Sequence, residues 1–220
     1  MRTRIKVCGI TRPGDAIGAV ADGVDALGFI FAESPRRITP EQAGAIITRA
    51  VPPLVSTVGV FVDEAPEAVA VAARTAGLTA VQLHGAEPPE YLGRLRSLCP
   101  ARIIKAFRIR SREDAIAVHV YRECADAFLL DTFVSGAAGG TGQTFDWELA
   151  LTARAFEVPL ILAGGLNPEN VAEAVRRVRP YAVDVSSGVE VSPGVKDAEK
   201  VRAFVAAVRE ADCGVISERG

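Results

Sequence analysis

Cysteine and histidine are scarce in this chain, which has four cysteines and two histidines among 220 residues. The cysteines lie far apart and form no CxxC pair; they are Cys8, Cys99, Cys124 and Cys213. Zinc sites and disulfide frameworks both need cysteine or histidine at short, regular spacings. We therefore expect reduced thiols, no bound metal and no disulfide.

The chain also lacks a strong charge of one sign and a long apolar run. Its 25 Lys and Arg nearly balance 27 Asp and Glu, so that the net charge is −2. This balance provides no positive field for nucleic acid or for an anionic membrane. No run of about 18 apolar residues occurs, and the start MRTRIKVCGIT has no apolar signal segment. We expect a cytoplasmic protein that binds a small molecule.

Short apolar runs alternate with longer alanine-rich segments, and hydrophobic residues make up 49% of the chain. This alternation is typical of successive β/α units. The predicted strands are Ile5–Cys8, Ala26–Phe31, Ser56–Val62, Ala80–His84, Ile103–Phe107, Ala127–Asp131, Leu160–Ala163 and Ala182–Ser186. The predicted helices are Pro13–Ala21, Pro40–Ala50, Pro66–Ala76, Pro89–Leu98, Ser111–Arg122, Asp146–Phe156, Pro168–Arg177 and Asp197–Val208.

Eight units favour a single-domain (β/α)8 TIM barrel over residues 1–211, followed by a C-terminal tail over 212–220. An open doubly wound sheet also alternates strand and helix, but it carries a GxGxxG turn after its first strand. The first strand here is followed by CGIT instead. Helix starts are indicated by Pro40, Pro66 and Pro168, and by a capping box from Ser111 to Asp114.

In a barrel, ligands meet the residues at the carboxyl ends of the strands, and alternate side chains point the same way. The apolar set on each strand faces the helices, so the polar set points inward. The inward residues are Lys6, Cys8, Gln82, His84, Asp184 and Ser186. Asp131 closes the sixth strand and is expected at the same rim.

Simpler interpretations exist for each of these residues. Cys8 can be a small buried hydrophobe, Asp131 can be a loop or capping carboxylate, and His84 can make a structural hydrogen bond. Lys6 can form a buried ion pair with Asp184 instead of taking part in catalysis. Four polar groups from separate strands are nevertheless costly to bury without a ligand, which favours a binding site.

Glycine loops follow the last three predicted strands. They are Gly139-Gly140-Thr141-Gly142, Gly164-Gly165-Leu166-Asn167 and Ser186-Ser187-Gly188-Val189-Glu190. Backbone N–H groups in such loops suit a phosphate, and the second loop is expected to lead into a helix N-terminus. After the second strand, Arg36 and Arg37 are either an exposed basic pair or include a fork for a carboxylate.

Eight segments resemble the phosphoribosylanthranilate isomerase family, in order and over essentially the whole chain. They are IKVCGIT (5–11), GFIF with SPRRI (28–38), VGVFV (58–62), VQLHG (81–85), LLDT (129–132), GGTGQTFDW (139–147), ILAGGLNPENV (161–171) and DVSSGVE with SPGVKD (184–197). CGIT, SPR, QLHG and the last segment are jointly specific, because other phosphate-binding barrels share only the late glycine loops.

The resemblance implies an Amadori rearrangement of N-(5'-phosphoribosyl)anthranilate in tryptophan biosynthesis, without a cofactor. By its motifs Asp131 is the general acid, Cys8 the general base, and Arg36 the better match for the substrate carboxylate, with Arg37 still open. Gln82 and His84 line the cavity, His84 as a positioning group. The implied phosphate ligands are Gly142, Gly164, Gly165, Ser186, Ser187 and Gly188. The chain is expected to be a monomer or a homodimer.

Two rival functions remain open at this point. A histidine-pathway isomerase rearranges a bulkier substrate on the same scaffold, but it carries aspartate where this chain has Cys8. A non-catalytic barrel that binds a sugar phosphate would keep the glycine loops and have no need of an acid and a base. Because aspartic acid and thiol titrate near pH 3.9 and about 8.5, burial and nearby positive charge would have to adjust both groups for catalysis at neutral pH.

Overall fold

A closed barrel of eight parallel strands forms the centre of the computed structural model, which describes residues 2–131 and 147–217. The strands are β1 (Arg4–Cys8), β2 (Ala26–Ile30), β3 (Ser56–Phe61), β4 (Ala80–Leu83), β5 (Arg102–Arg108), β6 (Ala127–Asp131), β7 (Leu160–Ala163) and β8 (Ala182–Val185). They pair in chain order, and β1 closes the ring against β8, where Ile5 is opposite Val183. The TIM barrel is thereby confirmed, and the open doubly wound sheet is excluded.

Helices alternate with the strands as predicted. They are α1 (Pro13–Ala21), α2 (Pro40–Ala50), α3 (Pro66–Ala76), α4 (Pro89–Leu98), α5 (Arg112–Ala117), α6 (Trp147–Arg154), α7 (Val171–Val178) and α8 (Ala198–Ser217). Short 3-10 helices cover Val118–Tyr121 and Ser187–Val189, and β9 (Glu190–Ser192) pairs antiparallel with β10 (Val195–Lys196). This hairpin was not predicted. No helix among the described residues is long and apolar enough to cross a membrane.

Most of the predicted helix starts are confirmed, and one is wrong. Thr39 caps α2 ahead of Pro40, and Ser111 forms a capping box with Asp114. Pro168, however, is not at a first helical position, because α7 begins at Val171. The side chain of Asn167 accepts hydrogen bonds from the next backbone N–H groups and forms a turn of its own, which delays the helix.

The ends of α6 and α7 differ from the prediction by only one or two residues, but two other helices end well away from the expected residue. The fifth changes to a 3-10 helix after Ala117, so only part of 111–122 is α-helical. The last helix continues to Ser217, past the expected end at Val208 and past the expected start of the tail at residue 212. Asp212 anchors this extension, since its carboxylate accepts hydrogen bonds from N and Oγ1 of Thr3 at 2.7 and 2.8 Å.

The predicted alternation along the strands is confirmed by the packing. Outward residues such as Val7, Leu27 and Phe29 are fully buried under the helices. A separate cluster of mostly small apolar residues fills the barrel interior, with Ala106 and Ala163 among its members. The polar inward residues of the site lie above this layer, at the carboxyl ends of the strands, and a separate cavity of about 460 Å³ opens at the amino ends beside Arg4 and Arg102.

Candidate active site

A cavity of about 310 Å³ opens at the carboxyl ends of the strands. It brings together most of the residues predicted from the sequence. Its lining includes Cys8, Gln82, His84, Asp131, Gly164, Gly165, Asp184, Ser186 and Ser187. Larger cavities of about 490 and 790 Å³ lie behind His84 and on the opposite face beside Tyr181. Two more, of about 440 and 460 Å³, lie beside Arg37 and at the amino ends of the strands. None of the four is lined by Cys8 or Asp131, so the smaller cavity is the one that brings these two residues together.

Cys8 is the last residue of β1 and lies beside Gly28 of β2. A Cβ atom at Gly28 would come within 2.6 Å of the Cys8 sulfur, so the glycine provides the space for the thiol. The sequence reasoning assigned no role to Gly28. The available signal was a glycine inside an apolar strand, which often marks a close approach.

Burial dominates the electrostatics of Cys8, which is only 7% exposed. Burial raises the pKa of the thiol above its usual value, and the positive charges of Lys6 and Lys196 oppose that rise without cancelling it. The nearby positive charge expected from the sequence is therefore present, but the pKa of Cys8 is raised rather than lowered. The thiol is thus protonated at neutral pH in this state of the protein.

Lys6 forms a buried ion pair with Asp184, with Nζ 2.8 Å from Oδ2. Burial alone would lower the pKa of Lys6, but the charges of Asp184 and Cys8 raise it overall. Lys6 therefore remains protonated in this ion pair. The predicted ion pair between these two residues is confirmed.

His84 and Asp131 meet at the mouth of the cavity. Nε2 of His84 lies 3.4 Å from Oδ2 of Asp131, within ion-pair range, but the Nε2 atom makes no aligned hydrogen bond to a described residue. Both side chains are partly exposed, at 20% and 25%. The backbone N–H of His84 donates to the carbonyl oxygen of Phe61, which fixes the residue just beyond β4.

Three further buried polar atoms around the cavity have no hydrogen-bond partner within the described ranges: Oε1 of Gln82, Oδ1 of Asp184 and Oγ of Ser186. A buried polar atom left without a partner costs about 1–3 kcal/mol. Atoms of this kind in one cavity favour a polar ligand that supplies the missing hydrogen bonds.

The glycine loops after β7 and β8 form one side of the cavity. Gly164, Gly165, Ser186 and Ser187 line it directly. Gly188 lies behind them, where a Cβ atom would come within 2.0 Å of the Leu166 carbonyl oxygen. Glycine is therefore required for the two loops to pack together.

Two expectations for the phosphate loops are changed. The loop after β7 does not lead directly into a helix, because α7 begins at Val171. The 3-10 helix Ser187–Val189 starts at the cavity instead. Gly142, together with the rest of the loop at 139–142 and the predicted helix start at Asp146, lies outside the described residues.

Arg36 and Arg37 occupy different surroundings. Arg36 lies against Gly9, where a Cβ atom would meet its Cδ at 2.7 Å and Oγ of Ser186 at 3.2 Å. Arg37 is exposed and lines a separate cavity with Phe31 and Pro40. Of the two arginines, only Arg36 lies beside Gly9 and Ser186, which are close to Cys8.

Glu190 and Lys196 are the main residues that the sequence reasoning missed. Arg36 donates through Nε and Nη2 to the carboxylate of Glu190, and Nζ of Lys196 donates to the same carboxylate at 2.8 Å. Nζ of Lys196 also donates to the carbonyl oxygen of Cys8 at 2.6 Å. Both residues belong to motifs that carried the family resemblance, which was the only available signal.

The described residues contain no group of three or more His, Cys, Asp or Glu that could hold a metal ion. A closed β/α barrel with polar side chains and glycine loops around one cavity at the carboxyl ends of its strands is the arrangement of β/α-barrel enzymes, whose active sites lie at that end.

Comparison with known proteins narrows that class to one family. The model of the family described as N-(5'-phosphoribosyl)anthranilate (PRA) isomerase matches residues 5–207. An N-(5'-phosphoribosyl)anthranilate isomerase from Geobacter sp. strain M21 is 53% identical over 209 residues, which cover 94% of this chain and 98% of the relative. The chain belongs to this family of isomerases.

Solved structures agree with the family assignment. Phosphoribosyl anthranilate isomerase from Thermotoga maritima superimposes with a TM-score of 0.87 at 44% identity, covering 94% of this chain and 99% of that one. A structure of the same enzyme type in complex with reduced 1-(o-carboxyphenylamino)-1-deoxyribulose 5-phosphate gives 0.84 at 42% identity, with the same coverage.

Proposed function

We propose that this chain catalyses the Amadori rearrangement of N-(5'-phosphoribosyl)anthranilate to 1-(2-carboxyphenylamino)-1-deoxyribulose 5-phosphate, a step of tryptophan biosynthesis. Family membership over residues 5–207 supports the reaction. The observation that carries the mechanism is the presence of Cys8 and Asp131 on the walls of one cavity. No cofactor takes part, because the rearrangement needs only proton transfers.

Asp131 acts first, as the general acid. Its protonated carboxyl group donates to the furanose ring oxygen, the bond from that oxygen to the anomeric carbon breaks, and the nitrogen lone pair forms a Schiff base. His84, 3.4 Å from Asp131, orients the carboxyl group and the substrate at the cavity mouth. This arrangement supports a positioning role for His84.

Cys8 acts second, as the general base. Its thiolate removes the proton from the sugar carbon next to the former anomeric centre, and the electron pair neutralises the Schiff base to give an enolamine. The enolamine tautomerises to the ketone. Because burial raises the pKa of Cys8, the thiolate needs nearby cations, and Lys6 and Lys196 are both close enough to favour it.

The two anionic ends of the substrate bind different residues. The phosphate is held by Gly164, Gly165, Ser186 and Ser187, with Gly188 shaping the loop and Gly142 assigned from the family resemblance. Arginine presents donors in a planar fork that suits a carboxylate. Arg36 therefore binds the anthranilate carboxylate, and Gln82 contacts the sugar through its unpaired Oε1 atom.

The direct test of the reaction is the fall in anthranilate fluorescence when the purified protein is mixed with freshly made substrate. The proposal expects a fall that depends on enzyme concentration and requires no added metal. An unchanged signal from protein that still binds the product analogue would favour a barrel that only binds sugar phosphates. Turnover of the histidine-pathway substrate alone would favour that isomerase.

A further inference from the structure

Glu190 occupies an unusual position between two cations. Its side chain is only 4% exposed, and its carboxylate accepts from Nε and Nη2 of Arg36 at 2.9 and 2.6 Å. The same carboxylate accepts from Nζ of Lys196 at 2.8 Å and from the backbone N–H of Gly194 at 3.2 Å. Glu190 therefore fixes Arg36 in a two-point ion pair from the base of the β9 and β10 hairpin.

Lys196 connects this cluster to the reacting residues. Beyond its ion pair with Glu190, Nζ donates to the carbonyl oxygen of Cys8 at 2.6 Å and to that of Ser186 at 3.2 Å. One buried carboxylate thus joins the proposed carboxylate ligand, the end of β1 and the start of the phosphate loop. Arg36 is 154 residues from Glu190 in the chain, and Cys8 is 188 residues from Lys196, so these contacts form only in the folded barrel.

The charge balance of the cluster leaves room for a further anion. Arg36 and Lys196 carry two positive charges, and Glu190 supplies one negative charge. A guanidinium group has five N–H donors, and the pair with Glu190 uses only the edge formed by Nε and Nη2. Because that edge is held, the remaining donors of Arg36 have a fixed direction.

We propose that Glu190 is a positioning residue that sets specificity for a carboxylated substrate, by holding Arg36 so that its remaining donors select the carboxylate. The inference rests on the proposed function, since it takes Arg36 as the ligand of the anthranilate carboxylate. Without the charge of Glu190, Arg36 loses its fixed partner and is free to take other orientations, because its side chain is 19% exposed. The loss is specific to ligands with a carboxylate.

The test compares two ligands on each protein variant. One is reduced 1-(o-carboxyphenylamino)-1-deoxyribulose 5-phosphate, and the other is its counterpart made from aniline, without the carboxylate. We expect Glu190→Gln to weaken binding of the first about tenfold and to leave the second within about twofold. The ratio of the two affinities is measured on one preparation, so a misfolded fraction does not alter it.

Two more variants separate a positioning role from a structural one. In an Arg36→Lys background, Glu190→Gln should have no further effect on the affinity ratio, because the fork is already lost. Lys196→Met removes the other cation but keeps the pair between Glu190 and Arg36, so it should retain the preference for the carboxylated ligand. If Glu190→Gln does not fold, Glu190→Asp takes its place in the test. Aspartate keeps the negative charge on a shorter side chain, so the preference for the carboxylated ligand should fall only in part.

The possible failures are distinguishable. A wild-type protein that binds both ligands equally contradicts the proposed role of Arg36, whatever Glu190 does. If the wild-type protein prefers the carboxylated ligand and Glu190→Gln keeps the full preference, the inference about Glu190 is overturned. The proposed role of Arg36 then still stands. Equal weakening of both ligands by Glu190→Gln also overturns it, because that result indicates general damage to the site.

Discussion

His84 and Asp131 face each other at the mouth of the cavity, with Nε2 of the histidine 3.4 Å from Oδ2 of the aspartate. The distance and orientation place the two groups in electrostatic contact without an aligned hydrogen bond to His84 Nε2. We therefore propose that His84 positions the acid and that Asp131 itself transfers the proton to the substrate.

The first prediction concerns this division of roles. His84→Gln keeps a polar side chain and removes only a positioning group, so kcat should fall by less than about tenfold. Asp131→Asn removes the proposed general acid, and a loss of that kind typically lowers kcat about 10²-fold or more. Steady-state kinetics of His84→Gln beside Asp131→Asn measure the difference. Equal losses in the two variants would make His84 a proton donor.

The second prediction concerns the titration of Cys8. Since burial raises its pKa, a smaller fraction of Cys8 is thiolate at pH 7 than in a free thiol, and the midpoint of its titration lies above the ordinary value of about 8.5. The ultraviolet absorbance of the thiolate, taken as the difference between wild type and Cys8→Ala, measures the midpoint. A midpoint below the ordinary value would contradict this assignment.

The variant Lys196→Met tests whether the positive charge of Lys196 affects the pKa of Cys8. Lys196 opposes the upward shift of the Cys8 pKa, so its removal should move the titration midpoint to still higher pH. A midpoint that falls or stays unchanged would show that Lys196 does not favour the thiolate.

The third prediction separates the two neighbouring arginines. Arg36→Ala should raise KM for the carboxylated substrate, because a charged hydrogen-bonding partner is lost, while Arg37→Ala should leave KM within about twofold since Arg37 is exposed and lines another cavity. Initial rates over a range of substrate concentrations decide between them. The reverse pattern would assign the carboxylate to Arg37.

The fourth prediction concerns the free energy of unfolding. Nζ of Lys105 lies 3.0 Å from Oε2 of Glu87, and both side chains are almost completely buried. Lys105→Met leaves the Glu87 carboxylate without its cation and should cost about 3–5 kcal/mol. Replacing both partners, by Glu87→Gln with Lys105→Met, should lower the free energy of unfolding by less than Lys105→Met alone. Urea unfolding measures the free energy of unfolding of both variants.

An exposed ion pair serves as the control for that experiment. Arg177 and Glu173 pair at 3.0 Å on the surface of α7, where both side chains are about half exposed. Pairs of this kind contribute little, so Arg177→Met should leave the urea midpoint nearly unchanged. We attribute the instability of Lys105→Met to the unpaired charge of Glu87. A double variant, Glu87→Gln with Lys105→Met, that is less stable than Lys105→Met would contradict this explanation.

Much of the fold and part of the site could be predicted because they depend on local patterns. Cys8 and Asp131 end β1 and β6 as expected, since each closes a short apolar run that is visible in the sequence. The late glycine loops were found for the same reason, because glycine clusters after strands are local signals.

The remaining features depend on contacts between distant residues. The ion pair between Arg36 and Glu190 joins positions separated by 154 residues, and no local pattern specifies it. The direction of the Cys8 pKa shift likewise depends on how completely the folded barrel buries the thiol. The late start of α7 is a local exception, because the side chain of Asn167 accepts a hydrogen bond from the N–H of Asn170 and this turn competes with the helix.

The central claim is that Cys8 and Asp131 transfer the protons of the rearrangement. The most direct measurement is the kcat of Cys8→Ala and of Asp131→Asn, each with the Kd of the reduced product analogue. Cys99→Ala is the matched control, since it removes another buried thiol outside the cavity. We predict a fall in kcat of at least about 10²-fold in both site variants with Kd largely unchanged; near-normal turnover in both would contradict the mechanism.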